Sequence, residues 1–290
     1  MRVQGVELES VGCYLCHHGD ADVWAEESGY RAMRCRSCGL LYVDPRPTAA
    51  ARSEAVRTGT HLTATGDLDV TGRFSPLRVL RMSVLMRRLV PHRVRSGKPV
   101  RWLDIGCGHG ELLVALQRLV PSGSTLVGVE PNDHKARSAR ARGLHVVSSL
   151  DDVTSTFDVV SMMNVYGHLP DPVSTIADWS RLLDRPDGEL VIETGNGAEL
   201  STREGYPGSL DLPDHLSFIG ERHLRLVCAL VGLEVRAVKR TRPDGLVGTG
   251  HALLRSAASR RWVVGRPYRS QFRDMFAVAG WSRDERNRES

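Results

Sequence analysis

Leu103-Asp104-Ile105-Gly106-Cys107-Gly108-His109-Gly110 is the stretch on which the fold turns. Three glycines at alternate positions follow an apolar run and precede Glu111–Val120, where apolar residues recur at helical spacing. Glycine between a strand and a helix allows a tight turn and a close approach of backbone to a ligand. The helix start beyond it offers free N–H groups to an anionic group such as a carboxylate. Several nucleotide-binding proteins use such a turn. This one reads Gly-x-Gly-x-Gly, has no Gly-x-x-Gly ending, and follows Asp104.

Outward from this loop, strands and helices alternate. Val100–Ile105, Thr125–Glu130, Leu144–Val147, Phe157–Met163 and Glu189–Glu193 read as strands. Glu111–Val120, Asp133–Arg142, Pro172–Leu183 and Glu221–Val231 read as helices. The alternation predicts an α/β sheet covered by helices on both faces. Leu233–Arg240 and Val247–Arg255, joined by a Pro-Asp-Gly turn, predict an antiparallel hairpin at the edge of a mostly parallel sheet. Glu130 ends the second strand, where a carboxylate can accept both hydroxyls of a ribose.

With Asp104, the glycine loop, Gly128-Val129-Glu130-Pro131 and Phe157-Asp158-Val159-Val160, the stretch from about Val100 to Arg255 resembles the class I S-adenosylmethionine (SAM)-dependent methyltransferases. The resemblance implies a Rossmann-like, seven-stranded, mostly parallel sheet with its last strand antiparallel. It implies that Asp104, Gly106 and Gly108 line the methionine end of SAM and that Glu130, followed by Pro131, binds the ribose. Asn132 and the pair Ser149-Leu150 would lie near the adenine. Asn164 would face the sulfonium and the acceptor.

Cys13-x-x-Cys16 and Cys35-x-x-Cys38 are separated by 18 residues, a zinc-ribbon spacing. Four thiolates would make a closed structural Zn²⁺ site with no open position for catalysis. A unit of about 40 residues buries little core, so metal binding would supply roughly 10 kcal/mol or more toward its folding. His17 and His18 read as spectators. The run Arg34-Cys35-Arg36-Ser37-Cys38-Gly39-Leu40-Leu41-Tyr42-Val43-Asp44-Pro45-Arg46-Pro47 resembles a subgroup of methyltransferases with an N-terminal zinc ribbon, related to deoxysugar C-methyltransferases and natural-product enzymes.

Methyl transfer from a sulfonium is an in-line displacement. The enzyme must position the acceptor and, for a hydroxyl or carbon acid, take its proton, a role suited to histidine. His168 follows the fourth strand, and can alternatively cap the helix starting at Pro172. In the related family its loop often reads Glu-His; here Gly167 replaces the acidic residue. His215 follows the fifth strand, and the resemblance places such a histidine at the acceptor site as general base. Asp211 or Asp214 could orient it. Tyr166 and Tyr206 are candidate acceptor-pocket walls or core aromatics. Cys107 and Cys228 read as buried bystanders.

The chain has 290 residues and a net charge of +5, carried almost wholly by arginine. The expected organisation is a zinc ribbon over 1–43, a connector and helical cap over 44–97, a methyltransferase core over 98–256, and a docking segment and tail over 257–290. The cap holds a helix at about Thr48–Val56 and one over 76–95, with Leu77, Leu80, Val84, Leu85 and Leu89 at helical spacing. No apolar run reaches the ~20 residues of a membrane span, and Met1–Ser10 lacks an export signal, so the expected location is the cytoplasm. The favoured partner is a small-molecule acceptor such as a natural product or sugar. The alternative is an RNA or other macromolecule held by the ribbon and the arginine-bearing helix.

Overall fold

The computed structural model describes residues 5–206, 209–241 and 274–287. The chain starts with β1 (Leu8–Glu9), the hairpin β2 (Ala21–Glu27) and β3 (Tyr30–Cys35), β4 (Leu41–Val43) and β5 (Arg46–Pro47). Ser28 and Gly29 turn the hairpin with φ of 55° and 88°, the left-handed pair that a tight two-residue turn requires. Helix α1 (Ala49–Thr58) and a second hairpin, β6 (Thr60–Thr63) with β7 (Gly66–Asp69), lead to α2 (Pro76–Leu89) and α3 (Pro91–Val94). The second hairpin was not legible in the sequence.

The core follows as β8 (Arg101–Ile105), α4 (Glu111–Gln117), β9 (Thr125–Val129), α5 (Asp133–Arg140), β10 (Val146–Val147), β11 (Val159–Met163), α6 (Pro172–Ser180) and β12 (Glu189–Thr194). Then come β13 (Ser217–Phe218), α7 (Glu221–Leu230), β14 (Leu233–Thr241), β15 (Asp274–Trp281) and α8 (Arg283–Asn287). Seven strands form one sheet in the order β10-β9-β8-β11-β12-β15-β14. β8 to β12 pair in parallel, and β15 runs antiparallel to both its neighbours. The fold is thus a Rossmann-like α/β sheet with an antiparallel last strand. That strand is Asp274–Trp281, inside the stretch expected to be a docking segment. The expected strand Val247–Arg255 and its Pro-Asp-Gly turn lie outside the described residues.

β11 and β12 are buried at every position, as strands covered on both faces must be. Successive residues feed opposite faces. Leu103, Val160 and Met162 pack with Ile176 and Leu224 on the α6–α7 face. Trp102, Val159 and Met163 pack with Val79, Met82 and Leu112 on the α2–α4 face. Ribbon residues Cys13, Leu40 and Tyr42 join the first of these clusters.

Helix α2 corrects one expectation. Ser75 caps it, accepting from the Arg78 N–H, and Pro76 takes the first turn. Leu77 and Leu80, expected to pack, are 71% and 63% exposed, and Val84 is exposed too. Val79, Met82, Leu85 and Met86 are buried instead. Both stripes have helical spacing, and the neighbouring α4 and sheet select the second. Among the described residues no helix is long and apolar enough to cross a membrane.

Gly128 in β9 marks a close approach beneath the glycine loop. A Cβ there would sit 2.7 Å from Cys107 Sγ and 2.8 Å from Leu113 Cδ1. Gly128→Ala is therefore expected to destabilise the fold by about 1–3 kcal/mol through overpacking, measured by urea unfolding. Adding Cys107→Ala should recover part of the loss.

Candidate functional site

In an open α/β sheet, ligands bind beyond the carboxyl ends of the strands, where strand order reverses. Here β9 and β11 flank β8 on opposite sides. A cavity of about 510 Å³ opens at that point. Asp104, Gly106, Gly108, Glu130, Pro131, Asn132 and Asn164 all line it. Gly106 has φ 67°, and a Cβ there would sit 2.5 Å from Val165 Cγ2, so glycine is required.

Glu130 braces the loop from the end of β9. Its Oε2 accepts from the Gly108 N–H at 2.7 Å and its Oε1 from the Asn132 N–H at 2.9 Å. Asp104 is 2% exposed. Trp102 Nε1–H donates to Ser161 Oγ at 2.9 Å, and the Ser161 hydroxyl donates to Asp104 Oδ1 at 2.6 Å. Burial pushes the Asp104 carboxyl up to about 7 despite that hydrogen bond. Asn164 holds φ 61°, a conformation that costs free energy and recurs at functional sites. Ser149 and Leu150 are not among the described lining residues. The Ser149 hydroxyl instead accepts from the Asp151 N–H and caps the short turn Leu150–Asp152.

The connector closes over this loop. His109 places its two ring nitrogens 2.8 Å from Ser138 Oγ and 3.0 Å from the Thr71 carbonyl. Asn132 Nδ2 donates to the Val56 carbonyl at 3.1 Å. The β6–β7 hairpin thereby contributes His61 and Leu68 to the cavity wall.

Four polar groups meet at the other end of the cavity. The rings of His168 and His215 stack with centroids 4.7 Å apart. His215 Nδ1–H donates to the Leu210 carbonyl at 2.9 Å, which leaves Nε2 as the basic nitrogen. The main chain thus orients His215, not Asp211 or Asp214. Asp214 serves His168, whose Nδ1 lies 2.9 Å from the Asp214 carbonyl and 3.2 Å from its Oδ1. His61 Nε2, on a side chain buried in the hairpin, sits 3.0 Å from the same Oδ1. Gly167 packs closely against the His215 ring. A Cβ there would lie 3.1 Å from His215 Cδ2. The carboxylate that His168 meets comes from another loop, as Asp214.

These environments separate the two imidazoles. Burial lowers His215, and the neighbouring His168 lowers it further. Burial acts the same way on His168, but the Asp214 carboxylate outweighs it and raises the group. Burial would raise Asp214, and hydrogen bonding with His168 and His61 outweighs that and lowers it. One ligand atom each of His168, Asp214 and His215 fall within 4.8 Å of one another. With both Nδ1 atoms turned to carbonyls, the trio sets side by side two imidazoles whose proton affinities are shifted in opposite directions.

Tyr166 and Tyr206 are not among the described lining residues. Tyr166 is fully buried, and its hydroxyl lies 3.2 Å from that of Tyr14 in the ribbon. Tyr206 packs edge-on against Trp24 and Phe218. Both tyrosines join ribbon to core. Cys107 and Cys228 are buried.

The four N-terminal cysteines converge. Cys13 Sγ lies 3.5 Å from Cys38 Sγ, and Cys16 Sγ 3.5 Å from Cys35 Sγ. All four sulfurs fall within 4.8 Å of one another. That is too far for S–S bonds, and close to the span of four thiolates about 2.3 Å from a tetrahedral cation. Burial pushes the Cys13 thiol up to about 11, a cost that a bound cation would offset. His17 and His18 stay outside the cluster.

Residues 78–238 match the family described as a methyltransferase domain. Among curated relatives, the ubiquinone biosynthesis O-methyltransferase of Parvibaculum lavamentivorans is 31% identical over 147 residues, covering 44% of this chain and 56% of that protein. Its counterpart in Actinobacillus pleuropneumoniae is 31% identical over 145 residues, covering 44% and 58%. The chain spans little more than half the length of these relatives. A crystal structure from Galdieria sulphuraria, provisionally named a sarcosine dimethylglycine methyltransferase, shares the fold at 15% identity. Its TM-score is 0.54, with 72% of this chain and 92% of that chain covered.

Cobalt(II) added to the metal-free protein is expected to give the intense thiolate-to-metal absorption of a tetrahedral Cys₄ site, weakened in Cys16→Ser. A spectrum without that band would rule out the four-sulfur cluster as a metal site.

Proposed function

Because the chain belongs to the methyltransferase domain family of class I SAM-dependent enzymes, we propose that it methylates a small-molecule acceptor by in-line transfer, with His215 as general base. Bound SAM would supply an electrophilic methyl group on its sulfonium. Asp104, Gly106 and Gly108 would hold its methionine end, and Glu130, Pro131 and Asn132 its nucleoside. Ser149 and Leu150 stay outside the cavity-lining part of this assignment. The Cys13, Cys16, Cys35 and Cys38 cluster would bind Zn²⁺ as a structural ion.

One observation carries the reading of the acceptor end. His215 lines the same cavity as Asp104 and Glu130 with its Nδ1 proton tied to a main-chain carbonyl. Its free Nε2 can take a proton from a hydroxyl or an acidic C–H as the acceptor attacks. Its lowered pKa keeps that nitrogen unprotonated near neutrality. His168, whose pKa the Asp214 carboxylate raises, would in its charged form stabilise negative charge growing on the acceptor.

The walls favour a small acceptor, such as a natural product, a sugar or a related metabolite. The cavity of about 510 Å³, walled in part by His61 and Leu68 of the β6–β7 hairpin, would hold SAM as well as the acceptor, which leaves room for a small acceptor only. The basic face of α2, on which the alternative nucleic-acid reading depends, is partly spent within the chain. Arg81 pairs with Asp274 at 2.5 Å and lies 3.3 Å from Glu193, while Arg78 faces the cavity.

With an acceptor found by screening metabolites against radiolabelled SAM, His215→Ala is expected to lower kcat by about 10²–10⁴-fold. Calorimetric affinity for S-adenosylhomocysteine should stay within about twofold, and an unchanged kcat would remove His215 from the mechanism. A second expectation concerns pH. The charged Asp104 carboxylate is the form that attracts an ammonium group, and its pKa stands near 7. S-adenosylhomocysteine affinity should therefore fall as pH drops through 7, approaching about tenfold per unit below it. Asp104→Asn should flatten that dependence.

A further inference from the structure

The ribbon does more than cover the core, and one of its side chains reaches into the acceptor-side machinery. Glu27 ends β2, next to the Ser28-Gly29 turn. Its carboxylate points across the domain junction at a loop 183 residues away in sequence. Both its oxygens accept from the Leu210 N–H at 2.9 Å. Oε1 also accepts from the Ser209 hydroxyl at 2.8 Å and from the Leu212 N–H at 3.4 Å. Asp211, between the two bonded amides, holds φ 56°. Successive amides around a left-handed residue form a concave nest that binds an anion. Here the anion is a side chain of the ribbon.

The same short loop holds His215. The Leu210 carbonyl accepts the His215 Nδ1 proton, and the His215 N–H donates to the Asp211 carbonyl at 3.1 Å. A continuous chain of hydrogen bonds runs from Glu27 Oε1 through the Ser209 hydroxyl, which accepts from the Asp211 N–H at 3.0 Å, to the Leu210 carbonyl of the same peptide and on to the His215 ring. Such chains polarise one another and fix geometry. The neighbouring turn fastens the opposite wall. The Ser28 carbonyl accepts from the Ala64 N–H at 2.9 Å, and the Tyr30 hydroxyl donates to the Leu62 carbonyl at 2.9 Å. Those two residues closely follow His61 in the β6–β7 hairpin.

We propose that Glu27 is a positioning residue for His215: its carboxylate locks the 209–212 backbone so that the Leu210 carbonyl selects the His215 tautomer with a free Nε2. This assignment rests on His215 being the acceptor-side base, but the link from Glu27 to the ring can be measured without any acceptor. Glu27 makes no contact with the cavity among its described lining residues. It acts through the ribbon tip.

The test is ¹⁵N NMR of the histidine rings in zinc-loaded protein, with His215 assigned by its loss in His215→Ala. His168 from the Tyr166–His168 turn and Asp211 and Asp214 from its own loop face His215, so all three are kept intact. In the wild type, His215 should show a protonated Nδ1 and a pKa below the ordinary 6.5. Glu27→Gln keeps the shape of the side chain and removes its charge. It is expected to mix the two tautomers and, by weakening the Leu210 hydrogen bond that favours the charged ring, to lower the His215 pKa by at least about 0.5 unit. S-adenosylhomocysteine affinity and zinc content should remain within twofold of wild type. Glu27→Asp, one methylene shorter, should give a smaller change in the same direction, and decides the matter if the glutamine variant does not fold. A His215 tautomer and pKa indistinguishable from wild type overturns the proposal. A shifted ring with undiminished methyl transfer would instead uphold the Glu27 link and remove His215 as the base.

Discussion

Ser217 pairs with Tyr42 and Phe218 with Leu41, and through these two pairings the ribbon sheet takes its fourth strand from the core. The Val43 N–H donates to the Leu216 carbonyl, and the Leu216 N–H donates onward to the Gly167 carbonyl. A main-chain ladder thus runs from the ribbon through the His215 loop to the His168 turn. The apolar packing follows the same path. Ala25, Tyr30, Ala32 and Val43 of the ribbon bury themselves against Leu210, Leu212 and Phe218. A unit this small cannot complete a core alone. It completes one with the loop that carries the proposed base, so ribbon order and acceptor-side geometry are not separable.

The cavity is built from carboxyl groups driven in opposite directions. Burial raises Asp104, while its partners lower Asp214. The two histidines at the acceptor end divide in the same manner, one toward the charged form and one toward the neutral form. Groups of the same type with separated proton affinities are what acid–base chemistry near neutral pH requires. Here the separation comes from position. Asp214 is bracketed by His168 and His61, whereas Asp104 meets a hydroxyl and an apolar wall.

Much of this was legible before any coordinates. Strands β8, β9, β11 and β12 and helices α5, α6 and α7 lie within three residues of their expected ends, because buried parallel strands and amphipathic helices leave strong periodic marks. The glycine loop, Glu130 and the paired cysteines were legible because each depends on local spacing. Other features depended on partners distant in sequence. Val79 and Met82 rather than Leu77 and Leu80 face inward on α2, a choice made by α4 and the sheet. Tyr166 and Tyr206 bind ribbon to core, since Tyr14, Trp24 and Phe218 surround them. His61 carried no local signal at all. Its place beside Asp214 exists only because the β6–β7 hairpin folds over the cavity.

The sequence by itself determined the parallel strands of the sheet, the glycine loop with its acidic partner and the four-sulfur cluster, since turns, alternation and Cys-x-x-Cys pairs act over a few residues; the antiparallel strand Asp274–Trp281 between β12 and β14 it did not. Tertiary structure alone decided which group orients His215. Asp211 and Asp214 stand nearest in sequence, yet a left-handed backbone at Asp211 turns the Leu210 carbonyl onto the ring and releases Asp214 to His168. That backbone conformation is held by Glu27, 183 residues away, and such a contact becomes visible only once the chain has closed on itself.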